Sequence, residues 1–212
     1  MAGSLAVSVR LLSLVGDDVA LNERTKQLVA VATEQGFPLW RALGTIFRGW
    51  IEVRNGDVTE GMSLLHSGLT AYRATGAELA MAYYTALLAG ACEIVGQVEE
   101  GLTLLDEALQ VAVRTGERWF LAELNRQRGQ LLLGQGDPKA AEKHYRKALT
   151  IARKQEAKLW ELRAATSLAR LWRDQDRRTE ARDLLAQVYG WFTEGFDTPD
   201  LKEAKSLLDE LT

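Results

Sequence analysis

The sequence predicts an all-α fold of stacked antiparallel helix pairs, on three observations. First, glycine recurs at intervals of 40 residues in two interleaved series. The first series is Gly16, Gly56, Gly96 and Gly136, with Asp176 in the fifth place, and the second is Gly36, Gly76 and Gly116, with Glu156 in the fourth. Second, the segments between these breaks have helical length, and apolar residues follow helical spacing, as at Leu102, Leu105 and Leu109. Third, no segment has the alternation that is typical of a strand.

Small residues mark the points where the paired helices are expected to cross. Gly129 and Ala141 in one repeat correspond to Ala89 and Gly101 in the previous one, and each pair permits close approach of two backbones. One hairpin cannot bury both of its faces, so neighbours must stack into a continuous core. We therefore expect a single repeat domain over 1–212. Its expected parts are a degenerate hairpin at 4–36, repeats at about 40–76, 80–116, 120–156 and 160–196, and a capping helix at about 199–211.

Composition argues against several classes of function. The net charge of −3 gives no general attraction to nucleic acid or to an anionic membrane, so we expect neither as a direct partner. The single cysteine, Cys92, is expected to be a small core residue, which suits a reducing, cytoplasmic compartment. We find no metal motif, no phosphate-binding loop and no convergent acid/base pair, so we expect neither an enzyme nor a bound cofactor.

The repeat resembles a known family. In the segment 128–149, Gly129, the turn Gly136-Asp137, Ala141, Tyr145 and Ala148 follow one another in the order of the tetratricopeptide-repeat consensus, here with a period of 40 instead of 34. This resemblance implies a right-handed superhelix, an α-solenoid that binds other proteins. The tail at 189–201 is similar to the C-terminal end of large bacterial regulators, in which a nucleotide-cyclase or DNA-binding module and a signal-transduction ATPase precede such repeats. It implies a sensor or scaffold region.

The resemblance also implies that the first helix of each pair lines a concave groove. Residues near the small position of each first helix share one helical face, and they change from apolar and aromatic to basic along the chain. The candidate groove residues are Leu43, Ile46, Trp50, Tyr83, Arg126, Gln130, Arg163, Arg170 and Arg173. Aromatic and arginine side chains are frequent binding anchors. The alternative is that the arginines only solvate a face, paired with Glu123 and Glu161.

Two classes of function remain open at this point. One is a protein- or peptide-binding module of a bacterial signalling protein, and the other is a small-molecule sensor that controls an upstream ATPase or cyclase. The N-terminal helices are apolar on more than one side, with Val7, Val9, Leu11, Leu12 and Leu14 close together. Because terminal repeats normally need a polar outer face, we expect homodimerisation through this edge.

Overall fold

The computed structural model of the protein describes residues 2–212, and within that range no residue lies in a β-strand. Eleven α-helices are present there, and they confirm the predicted all-α class. They are α1 Ala2–Val15, α2 Asp18–Glu34, α3 Pro38–Arg54, α4 Val58–Ala74, α5 Met81–Ile94, α6 Val98–Thr115, α7 Leu121–Gly134, α8 Pro138–Lys154, α9 Lys158–Asp174, α10 Arg178–Tyr189 and α11 Pro199–Leu211.

The glycine series end the helices. The seven glycines of the two series all have positive φ, between 65° and 94°. Five of them follow a helix by two residues, and Gly16 and Gly116 follow one directly. At these places a left-handed residue lets the chain turn back and satisfy the last carbonyl groups. After α2, for example, the backbone N–H of Phe37 donates to the carbonyl of Ala32 at 2.9 Å, and that of Gly36 donates to Thr33 at 3.3 Å. The 40-residue interval therefore reflects a repeated helix-ending motif.

The helix starts use aspartate and proline. The carboxylates of Asp17, Asp57 and Asp137 each accept a hydrogen bond from a backbone N–H three residues later, at 2.9–3.3 Å. Pro38, Pro138 and Pro199 each stand in the first turn of a helix, where a missing N–H breaks no bond. At the last of these starts the Thr198 hydroxyl does not cap α11, although threonine is a common residue at this position. It donates instead to the carbonyl of Gly195 at 2.7 Å.

The chain divides into two compact units, one ending at Val111 and the other comprising Ala112–Thr212, with the boundary inside α6. The first unit contains α1 to α5. In it α3 and α4 approach closely at Gly49, because a Cβ atom built there would lie only 2.7 Å from the backbone nitrogen of Leu65. The small residues of the repeat thus serve close helix crossing, as the sequence predicts.

The second unit contains α7 to α11. Its core includes Tyr145, whose ring would lie 2.7 Å from a Cβ atom on Gly129, and Trp172, which is 6% exposed. The last helix, α11, buries one apolar stripe against this core: Leu201, Ala204, Leu207 and Leu211. Trp191, in the segment between α10 and α11, is 58% exposed and does not belong to this core.

Candidate functional site

In the first unit, the apolar groove residues lie in the core. Leu43 and Ile46 are fully buried and Tyr83 is 2% exposed. We had expected these three side chains to be open to a partner, and the structure corrects this. Tyr83 is covered by α1, which packs on α3 and reaches α5, where the Tyr83 hydroxyl donates to the Ser13 hydroxyl at 2.8 Å. Ile46 packs instead against Gly68 of α4. Arg10 of α1 likewise donates to the Tyr84 hydroxyl at 2.8 Å.

Trp50 is the one predicted groove residue of the first unit that keeps an accessible surface. It is half-buried on α3, and the Arg54 guanidinium lies 5.9 Å from the centre of its ring. Gly90 of α5 faces the same ring, since a Cβ atom there would lie 3.5 Å from it. The absence of a side chain at Gly90 therefore leaves this edge of the indole uncovered by α5.

In the second unit, α7, α9 and α11 enclose a polar cavity of about 240 Å³, which we call the arginine pocket. Four predicted residues line it, and Arg173, the fifth predicted residue of this unit, does not. The lining residues are Glu123, Arg126, Gln130, Leu162, Arg163, Thr166, Ser167, Arg170, Asp200 and Glu203. Three arginines and three carboxylates thus share the pocket, so its formal charges balance.

The part of the pocket wall that α7 forms contains an ion pair held by two hydrogen bonds. Arg126 donates two hydrogen bonds to Glu123, at 2.9 Å to Oε2 and 2.7 Å to Oε1, and it also donates to Gln130. Glu123 is only 4% exposed. Burial raises the pKa of Glu123, but the charge and hydrogen bonds of Arg126 outweigh that effect and hold the pKa below its usual value. The pairing of Arg126 with Glu123 that the sequence left as an alternative is therefore present.

Where α9 meets α11, the pocket wall contains a second ion pair, and this pair is also held by two hydrogen bonds. Arg163 donates to the two carboxylate oxygens of Asp200 at 2.7 and 2.8 Å, and its side chain is 21% exposed. Burial lowers the pKa of Arg163, whereas the hydrogen bonds and charge of Asp200 raise it, and the net direction is upward. The Arg163 guanidinium also lies 5.1 Å from the ring centre of Trp160. Asp200 therefore fixes the start of α11 against α9.

Two further arginines of α9 pair with α11. Arg170 contacts Glu203 at the rim of the pocket, where both side chains are 44% exposed. Arg173 donates to Glu210 at 2.5 Å outside the pocket. The basic end that the sequence predicts is thus covered by an acidic face of the chain itself, which sequence reasoning missed. The signal was available, because Asp200, Glu203 and Glu210 follow one another at helical spacing on α11.

One polar group in the pocket has no partner. The hydroxyl oxygen of Thr166 is buried and makes no hydrogen bond, and the residue is 5% exposed. A buried hydroxyl without a partner has lost its hydrogen bonds to water and gained none in return, and a polar ligand group can supply one.

The structure also bears on two other kinds of site. Within residues 2–212, no group of three or more metal-binding side chains is present, and no helix is long and apolar enough to cross a membrane.

Comparison with known sequences agrees with the repeat architecture. The profile of the tetratricopeptide repeat matches residues 78–154 and 120–194, which together cover more than half of the chain. The chain belongs to the tetratricopeptide-repeat family. It is 30% identical over 127 residues to an uncharacterized protein of Rhizobium meliloti (strain 1021). That match includes 59% of this chain but only 12% of the length of the relative.

Solved structures of tetratricopeptide-like proteins are similar to this chain in fold. The TPR-like repeats of a Podosopora anserina kinesin light chain align with a TM-score of 0.60 at 21% identity, covering 88% of this chain and 92% of theirs. A Rap protein complexed with Competence and Sporulation Factor gives 0.76 at 15% identity, covering 98% and 56%. BtubC of P. vanneervenii gives 0.65 at 13% identity, covering 95% and 89%. At these identities the likeness shows the fold alone.

Proposed function

We propose that this chain is a non-catalytic protein-interaction region of a larger bacterial signalling protein, and that it binds a partner segment in the arginine pocket. Tetratricopeptide-like solenoids are generally protein-interaction modules. The match to a small part of a much longer bacterial relative supports a role within a multidomain protein. The Rap protein, which has a similar fold, is complexed with Competence and Sporulation Factor, and this supports a ligand-binding role for such a fold.

The observation that carries the proposal is the contrast between the inner pairs and the rim pair of the pocket. Glu123 with Arg126, and Arg163 with Asp200, are mostly buried and held by two hydrogen bonds each. The rim pair of Arg170 and Glu203 is half-exposed, and an exposed ion pair contributes only about 0–1 kcal/mol. A partner carboxylate can therefore replace Glu203 on Arg170 at small cost.

Thr166 is a second polar residue of this pocket. Its hydroxyl oxygen has no hydrogen bond and is buried in the unbound chain, so a partner amide or carboxylate at Arg170 bonds to it when the Thr166 side chain turns toward the pocket. The partner that suits the arginine pocket is a segment with an acidic end. Trp50 in the first unit is a separate aromatic surface, which suits an apolar side chain.

A small-molecule sensor remains the second candidate, and a different cavity favours it. The arginine pocket, at about 240 Å³, is smaller than the roughly 300–1,000 Å³ typical of small-molecule sites and suits a side chain. A cleft between α2 and α3 measures about 400 Å³ and is lined by Val29, Ile51 and the buried, unpaired hydroxyl of Thr25. A ligand found there would favour a sensor that controls an ATPase or cyclase module.

The test is a peptide-library screen followed by affinity measurements on variants. Arg170→Gln should weaken a selected peptide by up to about 1 kcal/mol, because a carboxylate on this half-exposed guanidinium contributes no more than that. Arg170→Glu is a poor choice, because it would oppose Glu203 and disturb α11. Arg182→Gln on α10 is the matched control, since Arg182 is exposed and pairs with its neighbour Asp183. Selected peptides that bind the Arg170→Gln variant as tightly as they bind the original chain and the Arg182→Gln control would contradict the pocket assignment.

We also propose self-association through α1. Its exposed side carries Val7 and Leu11, which are 53% and 57% exposed, and Val15, at 43%. Arg10 is the only charged residue of this helix, and it is turned toward Tyr84. An exposed apolar stripe without charges is typical of an interaction surface.

Sedimentation velocity at micromolar concentration tests this association. Leu11→Gln should abolish the dimer, whereas Leu79→Gln, at an equally exposed leucine of the same unit, should not. Leu12, the residue that we would have chosen from the sequence, is half-buried and would also change the packing. A monomer in the unsubstituted chain would rule out association through α1.

A further inference from the structure

The outer side of α8 carries a row of lysines, which we call the lysine stripe. Its members are exposed and lie four, eight and fifteen residues from the first: Lys139, Lys143, Lys147 and Lys154. At 3.6 residues per turn these positions fall within an arc of about 80°, opposite the buried side of the helix. With a rise of 1.5 Å per residue, the stripe is about 22 Å long.

The four lysines have no ion-pair partner within residues 2–212, and this distinguishes them from other cations of the same helix. Arg146 donates to Glu142 at 2.8 and 3.0 Å, and its guanidinium lies 4.9 Å from the ring centre of Trp172. Arg153 donates to Glu161 at 2.9 Å. The arginines of α8 thus pair with carboxylates of α8 and α9, while the lysine ammonium groups are available to another molecule.

The repeat provides an internal comparison, because the same outer positions occur in four other second helices. Counting back or forward by 40 residues from the first three lysines gives a neutral or acidic residue at every position. The equivalents are Val19, Glu23 and Gln27 in α2; Thr59, Ser63 and Ser67 in α4; Glu99, Thr103 and Glu107 in α6; and Thr179, Asp183 and Gln187 in α10. The equivalent of Lys154 in α6 is Arg114, so only the first three positions are free of cations in the other repeats. The fold therefore does not require cations at these three positions, and the run of lysines is specific to one repeat.

We infer that the lysine stripe is a second interaction surface, separate from the arginine pocket, and that it binds an acidic segment of a partner protein. Charge complementarity carries this assignment. Four unpaired ammonium groups in a chain with a net charge of −3 create a local positive field that attracts carboxylates and sets the direction of approach. A stripe of about 22 Å matches four turns of an acidic helix or about seven residues of an extended acidic segment.

The composition of the stripe favours a protein over nucleic acid or a membrane. Single-stranded nucleic acid is usually held by aromatic side chains that stack on bases, and the stripe has none. Phosphate recognition often uses the planar fork of arginine, whereas the two arginines of α8 at its edge are already paired. A helix that lies on a membrane inserts apolar side chains into it. On this face the only residue between Lys147 and Lys154 is Thr150, so the stripe offers no apolar side chain there for insertion.

The experiment measures binding of a fluorescein-labelled ten-residue glutamate peptide by anisotropy at low salt. The stripe variant replaces Lys139, Lys143 and Lys147 by glutamine, which keeps helix propensity. We expect it to bind the peptide about tenfold more weakly, with a smaller dependence on salt, since three exposed charge pairs are lost.

A charge-matched control separates the stripe from the net charge. This second variant replaces three other exposed lysines by glutamine: Lys26, Lys202 and Lys205. The formal net charge therefore changes from −3 to −6 in both variants. We expect its affinity to stay within about twofold of the original. Equal weakening in both variants would overturn the inference. Tighter binding of oligothymidine of equal charge, or of phosphatidylserine vesicles, than of the glutamate peptide would also overturn it, in favour of a nucleic acid or a membrane.

Discussion

Replacing Glu156 by glycine should stabilise the protein. Glu156 follows α8 at the position that glycine occupies in the earlier repeats, and its φ is 54°, compared with 65°, 77° and 75° at Gly36, Gly76 and Gly116. The same helix-ending hydrogen bonds are present. The backbone N–H after Glu156 donates to the carbonyl five residues back at 2.9 Å. A glutamate is thus held in a left-handed conformation that its Cβ atom disfavours.

The magnitude follows from two opposing effects. A left-handed conformation costs a residue with a Cβ atom about 1–2 kcal/mol, and glycine avoids this cost. Glycine in turn loses more conformational entropy on folding, and this loss offsets about 0.5–1 kcal/mol of the stability gained by relieving the left-handed conformation. The Glu156 side chain is exposed and forms no hydrogen bond or ion pair, so its removal costs little. The expected gain is about 0.5–1 kcal/mol, which corresponds to about 1–4 °C in the unfolding midpoint.

Thermal and urea unfolding followed by far-ultraviolet circular dichroism measure this gain. Glu156→Ala is the control, because alanine removes the carboxylate but keeps the Cβ atom in the left-handed conformation. We expect alanine to give less than half the gain of glycine. Gly136→Ala, at a φ of 82°, should destabilise by about 1 kcal/mol although nothing lies within 4 Å of the added atom. An equal gain from alanine and glycine at Glu156 would show that charge, and not backbone conformation, controls stability there.

Three further substitutions probe the pocket and the helix packing. Asp200→Ala leaves the guanidinium of Arg163 half-buried without its partner, and we expect about 2–3 kcal/mol of destabilisation and faster amide exchange in α11. Glu123→Gln should cost about 2 kcal/mol at pH 7 in urea unfolding. Because the pairing with Arg126 lowers the pKa of Glu123 in the folded state, this stabilisation is complete above the unfolded pKa of about 4.3 and is lost as pH falls through the folded pKa. Gly49→Ala should cost about 2–3 kcal/mol, because backbone atoms lie 2.7 and 2.8 Å from the added Cβ atom.

Each of these substitutions has a control within the chain. Asp209→Ala removes an exposed carboxylate of α11 and should leave amide exchange unchanged. Glu194→Gln, at an exposed residue without an ion pair, should keep the pH dependence of the original chain. Gly90→Ala places its Cβ atom 3.5 Å from the Trp50 ring, an ordinary contact, and should gain about 0.5–1 kcal/mol of helix propensity. If Gly90→Ala cost as much as Gly49→Ala, the close-approach argument would fail.

The helices and their ends could be predicted because the signals are local. A glycine two residues past a helix, an aspartate before one, and a small residue at a crossing each act within a few residues of their own position. The repeat multiplies these signals, so a departure such as Asp176 or Glu156 is recognised by its place in the series. The structure shows that both departures keep the left-handed backbone, with φ of 62° and 54°.

The candidate site was predicted less well because it depends on contacts between distant helices. Ile46 and Tyr83 lie on the face that the repeat pattern assigns to a groove, but Ile46 packs on Gly68 of α4 and Tyr83 is covered by α1. No residue near Tyr83 in sequence signals its contact with Ser13 of α1. In the second unit, Arg163 and Arg170 line the arginine pocket, and their carboxylate partners come from a helix about 35 residues away.

The two charged surfaces of the second unit should act at different stages of binding. The pocket arginines are neutralised by carboxylates of the chain, so their field at long range is weak, and a partner must replace Glu203 to use Arg170. The lysine stripe has no such partners, so its field extends into solvent until salt screens it, over about 8–10 Å. Glutamine at the stripe lysines should therefore reduce the association rate and its salt dependence, whereas Arg170→Gln should mainly raise the dissociation rate. Stopped-flow measurements with one partner distinguish these effects. An association rate that is unchanged by glutamine at the stripe lysines but falls with Arg170→Gln would reverse the assignment of the two surfaces.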